Sequence, residues 1–175
     1  MEPRHLVLVG LMGAGKTTVG TRCAARMGRD FVDTDQLVEA TAGISVAEVF
    51  ERDGEAAFRE LERAAVRDAC ASPAPLVIAC GGGAVLDAGS RAVLQASGLV
   101  VWLQAPAAVL GARVGSAEDR PLLGGEAGAV TTLERLAVLR APAYEAAAEI
   151  TIDTDGRTVD EVATLVVEEY DAWSA

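Results

Sequence analysis

The strongest constraint on this chain is a glycine-rich segment that follows a short apolar run near the amino terminus. Residues 5–9 (HLVLV) are followed by GLMGAGKT at residues 10–17, and a helical pattern begins at Lys16. A strand, a turn of the form G-x-x-x-x-G-K-T and a helix form the phosphate-binding loop of nucleoside triphosphate enzymes. A glycine turn that only joins strand to helix is the simpler interpretation, but the Lys16-Thr17 pair argues against it.

The residues of this loop have distinct expected roles. Glycines let successive backbone N–H groups converge on one point, where the helix amino terminus adds partial positive charge. Lys16 is predicted to reach the β- and γ-phosphates, and the Thr17 hydroxyl is predicted to ligate Mg²⁺. The residues expected to surround the nucleotide phosphates are Gly13, Ala14, Gly15, Lys16, Thr17 and Thr18.

Composition narrows the class of protein further. The 175 residues fit one domain, and no apolar window approaches the length of a membrane span. Cys23, Cys70 and Cys80 are odd in number and widely spaced, which argues against a disulfide framework and a zinc site. The net charge of −11, without a run of Lys or Arg, argues against a nucleic-acid partner. The first strand follows so closely on Met1 that no room is left for a signal peptide. We therefore expect a cytoplasmic protein without membrane contact, and we expect a monomer.

Short β-like runs alternate with helical patterns along the chain, which favours a parallel sheet covered by helices. The predicted strands are residues 5–9, 30–33, 76–80, 99–103 and 150–153. Helices are predicted at residues 17–27, from a capping box at Ser45 to near Gly54, and from 55 to 70. Two further capping boxes predict helices that begin after Thr131, running toward Pro142, and after Thr158. The segment 115–128 has no period and predicts a mobile loop.

Three chemically distinctive segments follow predicted strands. They are the phosphate loop after the first strand, Asp33-Thr34-Asp35 after the second, and Gly81-Gly82-Gly83 after the third. Ligands of open parallel sheets bind at the carboxyl ends of the strands. The three segments are therefore expected to meet at one site.

Motifs along nearly the whole chain resemble those of the shikimate kinase family. They are G-x-M-G-x-G-K-T at 10–17, D-T-D at 33–35, D-G-E-x-x-F-R-x-x-E at 53–62, G-G-G-A at 81–84, R-P-L-L at 120–123 and R-x-P-x-Y at 140–144. Two features depart from the commonest pattern, Thr17 in place of Ser and Gly-Gly-Glu at 124–126 after R-P-L-L. Thr17 keeps the hydroxyl that metal binding needs, and the second departure lies where sequences vary.

The resemblance implies a three-layer α/β P-loop kinase fold, in which a five-stranded parallel sheet has helices on both faces. It implies a single domain over residues 1–175, with a lid at roughly 115–128 and a substrate-binding helical region at roughly 34–62. It also implies transfer of the γ-phosphoryl group of ATP, with Mg²⁺, to the 3-hydroxyl of shikimate in aromatic amino-acid biosynthesis.

The resemblance assigns further roles to single residues. Asp33 would help to hold the Mg²⁺ hydration shell, and Asp35 would accept a bond from the attacking hydroxyl and orient or deprotonate it. Arg59 and Arg140 would clamp the substrate carboxylate, which a planar guanidinium binds through two parallel bonds. The substrate would also contact Gly81, Gly82 and Gly83. Arg120 would face the phosphates, and Arg113 would lie against the adenine ring. The apolar wall around the substrate ring would consist of Phe50, Phe58, Pro121 and Leu122.

Simpler interpretations exist for several of these residues. Asp33-Thr34-Asp35 could cap the following helix, and the three glycines could form a plain turn. Arg59 could pair with Glu62 three positions along a helix, in which case Glu62 orients Arg59. Arg113 could be solvated, and the two phenylalanines could be core residues.

Two other functions fit parts of the sequence. A sugar-acid kinase such as a gluconate kinase shares the phosphate loop, but the D-T-D, F-R and R-P-L-L motifs argue against it. A nucleotide-dependent switch that hydrolyses ATP slowly would need no acceptor site. It would leave the paired arginines and the triple glycine unexplained.

Overall fold

The chain folds around a parallel β-sheet, seen in a computed structural model that describes residues 4–114 and 128–175. In these residues five strands pair in the order β2-β3-β1-β4-β5, and every pairing is parallel. The strands are β1 (His5–Val9), β2 (Phe31–Asp33), β3 (Val77–Ala79), β4 (Gly98–Gln104) and β5 (Ile150–Asp153). All five strand predictions are confirmed to within one residue at each end.

Helices connect consecutive strands. The described residues form α1 (Lys16–Met27), α2 (Thr34–Ala42), α3 (Val46–Cys70), α4 (Ala88–Ser97), α5 (Ala107–Val114), α6 (Ala129–Ala147) and α7 (Val159–Ser174), with a short 3₁₀ turn at Ala84–Leu86. Helix α1 packs against α7, whereas α4 packs against both α3 and α6. Because the sheet lies between these two groups of helices, the predicted three-layer α/β arrangement is confirmed. No helix of residues 4–114 or 128–175 is both long and apolar enough to cross a membrane.

The central strand β1 explains why the sheet is covered on both sides. All five of its residues are buried, and it pairs with β3 through Leu6 and Val77 and with β4 through Leu6 and Leu99. A parallel strand that is buried on both faces requires a continuously apolar sequence. His5 is the exception, and its Nδ1 accepts a hydrogen bond of 3.0 Å from the Leu76 N–H.

The helix boundaries confirm most of the predicted signals. Ser45 and Thr158 both form complete capping boxes at the starts of α3 and α7. Gly28 ends α1 in the left-handed conformation, which agrees with the predicted end of this helix at residue 27. Gly54 takes φ 84° and ψ 172° within α3, so the expected break between two helical segments is present as a kink.

The prediction for α6 is wrong at both ends. The helix begins at Ala129 after Gly128, whose φ of 76° allows the entering turn, and no side chain caps it. Thr131 is therefore already helical and cannot serve as a cap. At the other end α6 continues through Pro142 to Ala147. Pro142 has no N–H to donate to the Val138 carbonyl oxygen. The Val138 side chain is 78% exposed, so this carbonyl lies on a face of α6 that is open to water.

Candidate active site

One cavity of about 720 Å³ collects most of the residues that the sequence singled out. It lies where β1, β2 and β3 end, as expected for a parallel sheet. The predicted site residues that line it are Gly13, Ala14, Gly15, Lys16, Thr17, Thr18, Asp33, Asp35, Phe50, Phe58, Arg59, Gly82, Gly83, Arg113 and Arg140. Arg120, Pro121, Leu122 and all of the expected lid except Gly128 lie outside the described residues.

The phosphate loop takes a conformation that depends on its glycines. Gly13 has φ 83°, and a Cβ at this position would lie 2.6 Å from the Leu110 carbonyl oxygen. A side chain would therefore be strained and also blocked by the neighbouring helix α5. Lys16 Nζ donates to the carbonyl oxygens of Gly10 at 2.8 Å and Leu11 at 3.0 Å. The ammonium group is thus held at the mouth of the loop, next to the amino terminus of α1.

Asp33 links the phosphate loop to the second strand. Thr17 Oγ1 donates to Asp33 Oδ2 at 2.8 Å, and Asp33 Oδ1 accepts from the Asp35 N–H at 2.9 Å. The carboxylate therefore caps α2, the simpler interpretation, and also contacts the threonine of the loop. These hydroxyl and carboxylate oxygens form a set of hard donors that fits Mg²⁺, which uses few protein ligands and keeps several waters.

Asp35 lies in the first turn of α2, whereas Asp33 precedes the helix in an extended conformation, so the two carboxylates do not lie on one extended segment. Asp33 caps this helix by accepting the bond from the Asp35 N–H, and the helix begins at Thr34. Asp35 Oδ1 is buried and has no hydrogen-bond partner among the described residues. The pKa of Asp35 is raised from 3.8 to about 6, chiefly by burial and also by the nearby Asp33 and Glu62, while Lys16 opposes the rise.

Arg59 is held by carboxylates on its own helix. Its Nη1 donates to Glu62 Oε2 at 2.6 Å and its Nη2 to Glu55 Oε1 at 3.1 Å. Glu62 is buried, and its second oxygen, Oε1, has no partner within the described part of the chain. Burial raises the pKa of Glu62, and Arg59 opposes the rise. A carboxylate that satisfies only one oxygen leaves the other available in the cavity wall.

The glycine turn after β3 fits between these charged groups. A Cβ at Gly81 would lie 2.6 Å from Asp35 Oδ1 and 2.8 Å from Glu62 Oε1. A Cβ at Gly82 would lie 3.2 Å from Arg140 Nη1, and one at Gly83 would overlap the Arg59 guanidinium. The two arginines therefore pack against consecutive glycines. Larger residues in the turn would displace the charged groups from the cavity.

The remaining predicted residues have mixed surroundings. Arg113 donates to Thr154 Oγ1 at 2.8 Å and to the Thr154 carbonyl at 2.9 Å, so it is bonded to protein rather than only to solvent. Phe50 and Phe58 face each other with ring centroids 4.6 Å apart. Phe58 is buried and Phe50 half-buried, and both line the cavity, so they contribute to the core and to the cavity wall.

Several lining residues had no sequence signal that we recognised. They are Val19, Gln36, Glu39, Val46, Cys80, Thr154, Arg157, Val159 and Val162. Thr154 and Arg157 follow β5, so the rule that placed the other segments at strand ends would also have found them. Thr34 helps to hold the glycine turn in place, because its hydroxyl accepts a hydrogen bond of 2.9 Å from the Gly81 N–H.

Comparison with known proteins agrees with this arrangement. The family model described as shikimate kinase matches residues 12–171. A shikimate kinase from Symbiobacterium thermophilum is 46% identical over 166 residues, which cover 94% of this chain and 94% of that protein.

Solved structures show the same likeness. A shikimate kinase from Acinetobacter baumannii in complex with shikimate has a TM-score of 0.92 at 34% identity, over 96% of this chain and 93% of that one. A gluconokinase from Sinorhizobium meliloti has a TM-score of 0.55 at 19% identity over 98% of this chain and 96% of that one, a likeness of fold alone. Sequence, fold and site together show that this chain belongs to the shikimate kinase family.

Proposed function

We infer that this chain transfers the γ-phosphoryl group of ATP to the 3-hydroxyl of shikimate, giving shikimate 3-phosphate and ADP in aromatic amino-acid biosynthesis. The observation that carries the inference is one cavity that holds a phosphate loop together with an acidic residue and two arginines suited to an organic acid. Membership of a family of kinases supports the same reaction.

The nucleotide is held by the phosphate loop and its surroundings. Backbone N–H groups at residues 13–18 surround the phosphates, and Lys16 exchanges its loop carbonyl partners for β- and γ-phosphate oxygens. Arg113 lies beside the adenine ring, where its bonds to Thr154 fix the guanidinium plane. Arg120, which belongs to the expected lid, neutralises charge on the transferring phosphoryl group, as the family resemblance implies.

Mg²⁺ is the metal that the oxygen donors fit. Thr17 would ligate it directly and Asp33 would hold its hydration shell. When bound, the ion would neutralise negative charge on the phosphates.

The acceptor lies against the glycine turn, within a substrate-binding region that extends over residues 34–62. Arg59 and Arg140 bind its carboxylate, and the backbone at residues 81–83 approaches its ring closely because no side chain intervenes. Phe50 and Phe58 supply the apolar wall of this subsite. Arg140 is buried and Arg59 is half-buried, so salt screens their bonds to a carboxylate only weakly.

Asp35 acts on the hydroxyl that attacks the phosphorus. Its unpartnered Oδ1 accepts the hydroxyl proton in a hydrogen bond and directs the oxygen toward the γ-phosphate. Phosphoryl transfer has a loose transition state and depends mainly on positioning and charge stabilisation. Orientation by Asp35 therefore contributes as much as removal of the proton, which a carboxylate with a raised pKa can also accept.

The wider organisation follows the same inference. The chain forms a single kinase domain over residues 1–175, acts as a monomer and works in the cytoplasm. None of its steps requires a nucleic acid or a membrane.

An acceptor panel tests the function. ADP release is measured with ATP and Mg²⁺ in the presence of shikimate, gluconate, a nucleoside monophosphate or no acceptor. We expect release to depend on shikimate alone. Release with gluconate would favour the sugar-acid kinase, and equal release without an acceptor would favour the nucleotide-dependent switch.

A further inference from the structure

Tyr144 occupies an unusual position behind the acceptor subsite. It lies one helical turn after Arg140 on α6, its side chain is buried, and it does not line the main cavity. Its hydroxyl donates to the Gly82 carbonyl oxygen at 2.6 Å. Tyr144 ends the R-x-P-x-Y motif at residues 140–144, and the motif by itself does not specify this bond to Gly82.

The hydroxyl, the Gly82 peptide and the Arg140 guanidinium form one compact group. A Cβ built at Gly82 would lie 3.2 Å from Arg140 Nη1 and 3.8 Å from Tyr144 Oη. Burial raises the pKa of Tyr144 to about 12, with Arg140 opposing the rise through its charge and a hydrogen bond. The hydroxyl therefore remains a neutral donor to Gly82 at any physiological pH.

The ring of Tyr144 is fixed from the opposite side. It stacks on Trp102 of β4, with centroids 5.3 Å apart and ring planes inclined by 22°. A stacked, buried ring has little freedom to rotate, so the hydroxyl is presented to Gly82 in one place. Through Trp102 and Tyr144, the central sheet therefore fixes the position of the glycine turn relative to the Arg140 guanidinium.

We propose that Tyr144 is a positioning residue for the carboxylate subsite. It holds the Gly82 peptide and the Arg140 guanidinium at the separation that an acceptor carboxylate and ring require, without touching the acceptor itself. This proposal rests on the proposed function, because it takes Arg140 as a ligand of the acceptor carboxylate. Its effect belongs to acceptor binding, since its hydroxyl bonds to the carbonyl oxygen of Gly82 in the glycine turn.

Tyr144→Phe is the direct test, since it keeps the stacked ring and removes only the hydroxyl. We expect the KM for shikimate to rise about three- to tenfold, the range set by one hydrogen bond, while kcat and the KM for ATP stay within about twofold. Preference for shikimate over its methyl ester should fall as well, because the ester does not need a well-placed guanidinium. A merely structural tyrosine would leave this preference unchanged.

Tyr170→Phe is the matched control. Tyr170 is another buried tyrosine whose hydroxyl donates to a backbone carbonyl, that of Arg4, far from the acceptor subsite. Its loss should lower thermal stability without changing the KM for shikimate. If Tyr144→Phe kept the wild-type KM and ester preference, or changed both substrate KM values equally, the proposal would be overturned. If instead the wild-type chain did not phosphorylate shikimate, the proposed function would fail first.

Gly82→Ala provides a second route should the tyrosine variant fold poorly. Its methyl group enters between Arg140 Nη1 and the tyrosine hydroxyl from the peptide side. The proposal expects a raised KM for shikimate with an unchanged KM for ATP. An unchanged KM for shikimate would show that the spacing of this group does not control acceptor binding.

Discussion

Asp35 shows how a side chain needed for chemistry weakens the fold that carries it. Its carboxyl group is buried with one oxygen unpartnered, and its pKa is about 6 instead of 3.8. The native state therefore binds more protons than the unfolded chain between about pH 4 and pH 6. The free energy of unfolding falls as pH rises through this window, so at neutral pH the ionised group is a net cost.

Asp35→Asn should consequently separate stability from activity. At pH 7.5 we expect the variant to be more stable by about 1–3 kcal/mol, because a shift of one pKa unit corresponds to about 1.4 kcal/mol. Below pH 4 the gain should vanish, and turnover should be nearly abolished at every pH. Urea unfolding at both pH values measures the first effect. A stability gain that persists at pH 3.5 would show that burial of the charge is not its cause.

Arg140→Lys tests the shape of the carboxylate clamp rather than its charge. Lysine keeps the positive charge but cannot form two parallel bonds to a carboxylate. We expect the KM for shikimate to rise about tenfold or more, with little change in the KM for ATP. Arg26→Lys, at a surface ion pair with Asp160, is the control and should behave like the wild type. Steady-state kinetics with wild-type KM for the Arg140 variant would show that the clamp lies elsewhere.

The sequence predicted which side chains meet but not how they meet. Parallel strands deliver their carboxyl ends to one edge, so the convergence of Lys16, Asp35 and Gly82 followed from the strand pattern alone. The approach of Glu62 Oε1 to the same glycine turn as Asp35 Oδ1 depends on the angle between α3 and the sheet. That angle is set by tertiary packing, for which local sequence patterns carry no signal.

Among the helices, the capping boxes show both the strength and the limit of local patterns. Ser45 and Thr158 precede their apolar faces directly, and both cap the helix as predicted. The T-T-L-E box at residues 131–134 has the same form, but Gly128 starts α6 three residues earlier. A competing glycine turn therefore overrides a capping sequence. The order of strands was also beyond local patterns, since it depends on which helix crosses which face.

Ser45→Ala and Thr131→Ala make this difference measurable. Loss of the Ser45 cap should lower the free energy of unfolding by about 1 kcal/mol. Thr131 is exposed and already inside α6, so its replacement should change stability by less than about 0.5 kcal/mol. Chemical denaturation of both variants checks the pair. Equal losses at the two positions would contradict the observed start of α6.

For the chain as a whole, a net charge of −11 opposes the approach of two anionic substrates. Surface carboxylates act over a screening length of about 8 Å at physiological ionic strength, so distant ones contribute little. Removing one partner of a desolvated Arg–carboxylate contact costs roughly 2–5 kcal/mol. The few cations that line the cavity therefore outweigh the many acidic residues outside it.

The central claim is that one cavity holds a triphosphate and an organic acid in position for direct transfer. The most direct measurement follows ATP, ADP, shikimate and its phosphate ester together by ³¹P and ¹H NMR during turnover. We expect one molecule of shikimate 3-phosphate for every ADP, with the ester on the 3-hydroxyl and no free phosphate. ADP accompanied by inorganic phosphate, with shikimate unchanged, would contradict it.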